Sequence, residues 1–498
     1  MSAAMYHWYD GIGPIQVVFL LIALAFAFGF EFVNGFHDTA NAVATVIYTQ
    51  SLPPVVAVIW SGIWNLIGVL ASTGAVAYSV VALLPVELVM HVSSSAGFAM
   101  VFSLLISAII WNLGTWYLGL PASSSHTLIG SIMGVGLMNS LMKSGGFMAG
   151  VNWAKAKDVG AALAFSPVIG FVLTALLFLL LKLLVRKPEL YEAPDPHKAP
   201  PLWIRGILCL TCTGVSFFHG SNDGQKGMGL IMLILVGIIP GMYALDMTTS
   251  PAALENLRTL AKSAEAIIAH QKPGATENAD AAAATLTAFV KPGGAFNGGI
   301  YSAMAEKNQE VQTMLDGCKS LNDLKEADRS RLRDAFYYLS NSIAKLVKGS
   351  EITGADATTL TTYRKAINQE TQYIPLWVKV AVACALGFGT MIGWKRIVIT
   401  VGEKIGKSHL TYGQGAAAEV VAMITIRMAD AYGLPVSTTH VLSSGVAGAM
   451  AANNSGLQAR TLRNIILAWV LTLPVCIFLG AMFFAGALLV LARVFGLH

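Results

Sequence analysis

Gly119-Leu120-Pro121-Ala122-Ser123-Ser124-Ser125-His126 returns 314 residues later as Gly433-Leu434-Pro435-Val436-Ser437-Thr438-Thr439-His440. Proline fits the first turn of a helix, where its missing N–H leaves nothing unpaired. The hydroxyls that follow it lie beside backbone N–H groups with no partner inside the helix. Two such helix starts can converge on one oxyanion and hold it with hydroxyls, N–H groups and the positive ends of two helix dipoles, without an arginine. A lone Ser-rich run would read as contact between membrane helices. Repetition of the whole octet, with Gly, Leu, Pro and His in register, favours the anion site instead. For His126 and His440 two roles stay open: closing that site, or donating to a carbonyl of a neighbouring helix.

Working outward, Gly35-Phe36-His37-Asp38-Thr39-Ala40-Asn41-Ala42 and Gly220-Ser221-Asn222-Asp223-Gly224-Gln225-Lys226-Gly227 share the pattern G-x-x-D-x-x-[NK]-[AG] at an offset of 185. Both lie in largely apolar surroundings, where an ionisable side chain costs at least roughly 2.5–3.5 kcal/mol and is a functional candidate by default. Asp38 and Asp223 each have a polar residue three positions on, Asn41 and Lys226, which a helix brings to the same face. A carboxylate with an amide oxygen and nearby carbonyls suits Na⁺ or a proton-accepting site. Lys226 would put a tethered ammonium where a mobile cation would sit, a reading compatible with an internal salt bridge that lets both residues be buried. His37, Asn222, Gln225 and Glu31 are further candidates to line the site. Glu419, Arg427 and Asp430 are other charges within apolar runs, and the i, i+3 spacing predicts an Arg427–Asp430 ion pair.

The chain has 498 residues, 55% hydrophobic and 12% charged, against about 45–50% and 25% in soluble domains. That excludes disorder, a nucleic-acid module and most soluble enzymes, and predicts a polytopic membrane protein. Apolar runs long enough to span, with shorter Gly/Ser/Thr-rich runs at 40–49, 122–142 and 436–452 as broken or re-entrant helices, give about 10–12 segments. Residues 246–372 hold 29 of the 59 charged residues, so they read as a soluble helical insert. That insert accounts for nearly all of the difference between the two repeat offsets. Two homologous membrane halves follow, with boundaries at 1–202, 203–245, 246–372 and 373–498. The basic segment 182–205 is expected in the cytoplasm. Cys209 and Cys212 lack a second ligand pair and read as buried small hydrophobes, and the first 14 residues lack the basic start of a cleaved signal.

These paired motifs resemble those of the inorganic phosphate transporter (PiT) family, and Gly35 to Ala42 is similar to its Gly-Ala-Asn-Asp-Val-Ala-Asn-Ala signature. The bacterial low-affinity members have similar His-Asp-Thr-Ala-Asn-Ala and Asn-Asp-Gly-Gln-Lys-Gly runs. The resemblance implies an all-α bundle of two inverted repeats, each with a broken helix and a re-entrant Ser/Thr-rich hairpin, in the bacterial inner membrane. It also implies cation-coupled symport of phosphate by alternating access. Carried over residue by residue, it implies phosphate ligands at Ser123, Ser124, Ser125, Ser437, Thr438 and Thr439, with cation or proton coupling at Asp38, Asn41, Asp223 and Lys226. Lys226 in place of Asn favours H⁺ over Na⁺, and relatives of this kind suggest a neutral complex of phosphate with Mg²⁺ or another divalent metal as cargo, and a homodimer. No resident metal, cofactor or nucleic-acid partner is expected. A carboxylate beside the site repels sulfate but accepts a hydrogen bond from the P–OH of hydrogenphosphate, which favours phosphate or arsenate. The alternatives are Na⁺-coupled phosphate symport, a sulfate transporter of the same fold, an anion channel and an intramembrane Ser hydrolase. The last lacks a G-x-S-x-G elbow and gives no reason for duplication.

Overall fold

The computed structural model describes residues 13–84, 92, 94–143, 150–195, 199–271, 278–291 and 293–495, except for the side chains of 38, 39, 41, 154, 494 and 495. Two of the expected coupling residues, Asp38 and Asn41, therefore lie outside the described side chains. The first half runs α1 (Pro14–Tyr48), α2 (Pro54–Ala71), α3 (Ala75–Val81), α4 (Ser95–Tyr117), α5 (Ser124–Met142) and α6 (Trp153–Leu184). The second half opens with α7 (Leu202–Ile238). A chain of helices follows: α8 (Pro240–Tyr243), α9 (Pro251–His270), α10 (Ala279–Val290), α11 (Gly299–Leu315), α12 (Glu326–Lys348) and α13 (Gly354–Thr371). It then resumes with α14 (Leu376–Gly393), α15 (Lys395–Ile399), α16 (Tyr412–Ala431), α17 (Thr438–Ala452) and α18 (Ala459–Phe495).

Among the described residues seven helices are long and apolar enough to cross a membrane: α1, α2, α4, α6, α7, α14 and α18. On α6, Leu173, Leu176 and Leu180 face outward, as a helix that borders hydrocarbon requires. Helices α5 and α17 are instead buried along nearly their whole length. Their packing is reciprocal. α1 packs on α14 while α7 packs on α2, α5 packs on α18 while α17 packs on α6, and α4 meets α18 while α16 meets α6.

One expectation is corrected here. The run at 40–49 is the end of α1, and both Asp motifs sit inside uninterrupted helices rather than at breaks. Nothing in either motif removes a backbone N–H, so the helical bonding continues through the small residues. Prolines instead mark the turns into the next helices, at Pro53-Pro54, Pro121, Pro201 and Pro435, while Pro167 and Pro474 are carried inside α6 and α18.

The two ends of the bundle differ. At one, Lys182 Nζ donates to Asn453 Oδ1 (3.0 Å), and the Lys407 N–H donates to the Gly456 carbonyl (3.1 Å). The other carries α8 to α13, which pack round a core that includes Leu257, Phe336, Leu339 and Tyr363. The two ends of that segment are joined where the Asp246 N–H donates to the Glu370 carbonyl (2.8 Å).

Candidate functional site

Each octet builds the same turn. Gly119 and Gly433 adopt φ of +67° and +62°, a left-handed conformation that favours glycine, and turn the chain out of α4 and α16. Ser123 and Ser437 then cap α5 and α17, each accepting a hydrogen bond at 3.2 Å from the backbone N–H of the following histidine, His126 or His440. Side-chain capping at this position is worth about 0.5–2 kcal/mol and fixes where each helix begins. The remaining hydroxyls, Ser124 and Ser125 on one side and Thr438 and Thr439 on the other, occupy the first turns and are buried.

The two helix starts meet. Ser125 Oγ donates to the Val436 carbonyl across the repeats (2.9 Å), and the rings of His126 and His440 lie 4.7 Å apart. His440 also stacks on Trp469 of α18 at 4.1 Å, whose indole N–H donates back to the Pro121 carbonyl (2.8 Å). From this meeting point α5 runs to the end that carries the insert and α17 to the end that carries Lys182.

Beside the start of α5 lies a fully buried ion pair. Lys226 Nζ is 2.7 Å from Asp223 Oδ2, one turn apart on α7. Ser124 Oγ reaches both, donating to Asp223 Oδ2 and accepting from Lys226 Nζ, each at 3.4 Å. His219 Nε2 stands 3.5 Å from the same carboxylate oxygen, and its Nδ1 is 2.7 Å from Asn65 Oδ1 on α2. One hydroxyl of the first octet, that of Ser124, thus touches both charged residues of the second Asp motif.

Of the expected lining residues, Asn222 joins this assembly, its Nδ2 donating to the Leu434 carbonyl at 3.3 Å. His37 Nε2 lies 2.8 Å from the Asn112 carbonyl on α4. Glu31 packs against Gly227, where a Cβ would come within 2.3 Å of its Cγ. Gln225 donates to Asp430 Oδ1 (2.6 Å) and accepts from the Val76 N–H (2.9 Å). The expected Arg427–Asp430 ion pair does not form. Asp430 faces α7 and accepts from Gln225 and from Ser221 Oγ (2.8 Å), while exposed Arg427 lies over the Phe218 ring at 6.0 Å. Neutral donors satisfy the buried carboxylate, and the guanidinium avoids burial.

Three features escaped the sequence reading. His219 stands i−4 from Asp223, a spacing that could have flagged it. Trp469 carries no local signal. Glu419, noted only as a charge in an apolar run, is buried and accepts hydrogen bonds from Thr45 of α1 and Thr211 of α7.

The chain matches the phosphate transporter family over residues 34–480. It is 42% identical over 492 residues to the low-affinity inorganic phosphate transporter PitB of Escherichia coli (strain K12), covering 96% of this chain and 98% of that one. Identity to PitA of the same organism is 41% over 491 residues, with the same coverage of both chains. A probable low-affinity inorganic phosphate transporter of Bacillus subtilis (strain 168) is 27% identical over 468 residues, covering 94% of this chain and 96% of the relative. Among solved structures, "The sodium-dependent phosphate transporter" shares the fold with a TM-score of 0.53 at 19% identity, covering 95% of this chain and all of that one.

Proposed function

Because the chain belongs to the phosphate transporter family, we propose that it is a secondary active symporter that brings inorganic phosphate across the bacterial inner membrane with protons. The observation that carries this reading is Ser124, whose hydroxyl lies within 3.4 Å of both Asp223 and Lys226 while it opens one of the two facing helix starts. Phosphate would accept hydrogen bonds from Ser124, Ser125, Thr438 and Thr439 and from the first-turn N–H groups of α5 and α17. Ser123 and Ser437 act by capping, which uses their oxygens as acceptors and aims the first turns.

The buried pair supports proton coupling. With Asp223 ionised, Lys226 is held on the carboxylate. A proton arriving on Asp223 releases the ammonium, which then faces the oxyanion through Ser124, so proton and phosphate bind together. Loss of that proton on the acceptor side draws Lys226 back to Asp223 and removes a positive charge from phosphate. A buried pair of this kind is poorly stabilising in itself, so its persistence beside the helix starts supports a switching role.

Reciprocal packing, with α5 and α17 leaving a shared point toward opposite ends, supports two inverted repeats and alternating access. Lys182, Arg186, Lys187, Lys404, Lys407, Arg460 and Arg463 crowd the end opposite the insert, which supports a cytoplasmic position for that end and an outer position for the insert.

The test is uptake of radiolabelled phosphate into proteoliposomes under an inward proton gradient, an inward Na⁺ gradient or neither, each with and without Mg²⁺. We expect accumulation with the proton gradient alone and its loss in Asp223→Asn. Uptake that requires Na⁺ and ignores pH would overturn proton coupling. A requirement for Mg²⁺ would identify the neutral metal complex as cargo.

A further inference from the structure

A cleft of about 1090 Å³ separates the insert from the membrane bundle. Its walls carry Lys143 and Lys155 from the bundle and Lys291, Arg333, Lys348 and Arg364 from the insert, whereas Asp158 is the one carboxylate among its described lining residues. Arg333 is locally balanced by Asp334 at 3.1 Å, and among the described residues the insert contributes basic side chains and no carboxylate to the lining of the cleft. Arg364 and Lys345 are pulled below their ordinary values by burial, so an anion entering the cleft would restore what desolvation removes.

The cleft leads somewhere. Its floor includes Ala75, Gly229 and Gly433. Gly433 opens the second octet, and Gly229 follows Gln225 by one helical turn. Gln225 ties the Val76 N–H (2.9 Å) to Asp430 Oδ1 (2.6 Å), and Asp430 accepts in turn from Ser221 (2.8 Å). That single polar layer stands next to the Asn222–Asp223 segment of α7.

We propose that this cleft is an anion-collecting vestibule, which draws hydrogenphosphate from the insert side toward the second octet, with the Gln225–Asp430 layer as its closed inner end. The inference rests on the phosphate reading above. A recessed surface of one sign between low-dielectric walls raises the local concentration of counter-ions and speeds their capture. Its signature is sensitivity to salt, because exposed charges are screened beyond about 10 Å at 0.1 M ionic strength.

The experiment measures initial rates of labelled phosphate uptake at low and high ionic strength, in proteoliposomes whose insert faces the medium, as judged by protease access. It compares the wild type with the triple variants Lys143→Gln/Lys155→Gln/Lys348→Gln and Lys143→Arg/Lys155→Arg/Lys348→Arg. At low ionic strength the Gln variant is expected to raise the half-saturation concentration roughly three- to tenfold, to keep its maximal rate within about twofold, and to lose most of its salt dependence. The Arg variant should behave as the wild type, which a merely structural role for the lysines would not require. An unchanged half-saturation in the Gln variant, or a wild type indifferent to ionic strength, overturns the vestibule alone, and a neutral metal–phosphate cargo would give that result. Failure of the wild type to take up phosphate at all overturns the vestibule and the phosphate reading together.

Discussion

Lys226 stands where the first Asp motif has Asn41, and in place of a neutral amide it puts a fixed cation 2.7 Å from Asp223. Both side chains are withdrawn from solvent, so each depends on the other for its charge to be tolerated. Removing one partner of such a pair costs about 3–5 kcal/mol, whereas replacing both by groups of similar volume is often neutral. Asp223→Asn and Lys226→Met should therefore each lower the melting temperature of the purified protein sharply. The double variant should recover most of the loss while remaining unable to accumulate phosphate. Melts in which the two single losses simply add would show that the pair carries no mutual stabilisation. His219, 3.5 Å from the same oxygen, adds a third polar contact but leaves the pairing itself between Asp223 and Lys226.

At the scale of elements, the helices of each half are pinned to those of the other by close backbone approach at matching positions. A Cβ on Gly220 of α7 would come 2.1 Å from the Asn65 carbonyl oxygen of α2, and a Cβ on Gly35 of α1 would come 2.5 Å from the Leu386 carbonyl oxygen of α14. Gly35 and Gly220 are the opening glycines of the two Asp motifs, so one residue type serves the packing in both halves. The obstacle is backbone, which cannot swing aside as a side chain can. Gly220→Ala should force α7 from α2 and cost at least about 1–3 kcal/mol, read as a lower melting temperature in detergent. A wild-type melt would mean that these helices are not in close contact.

Much of this arrangement was legible in the repeats. The duplicated octets predicted paired helix starts but put Pro121 and Pro435 in the first turns, whereas Ser123 and Ser437 cap helices that begin one residue later. The Asp–Lys spacing predicted that Asp223 and Lys226 would share a face. What the sequence could not give depends on three-dimensional company. Helix periodicity says nothing about which residue of another helix faces a carboxylate. Asp430 was thus assigned to its chain neighbour Arg427, although Ser221 and Gln225 of α7 meet it. Gly-rich motifs read as breaks, yet small residues also serve close helix packing, and here they do so inside continuous α1 and α7. Trp469 reaches the octets only because α18 packs on α5.

For the whole molecule, two similar halves cross so that the starts of α5 and α17 face each other, while helices α8 to α13 and the basic cleft beside them occupy one end only. The facing starts supply hydroxyls and helix N-termini from both repeats to one point, and the buried pair adds a group able to respond to a proton. The central claim is that phosphate occupies that point. It is tested most directly by exchange of external labelled phosphate for internal unlabelled phosphate in proteoliposomes without any ion gradient, because exchange reports the site independently of the coupling ion. The wild type should exchange phosphate and not sulfate, and Ser124→Ala and Thr438→Ala should each weaken half-saturation by roughly tenfold, as loss of one hydrogen bond to a charged group implies. Exchange of sulfate in place of phosphate, or wild-type phosphate exchange in both alanine variants, would contradict the account.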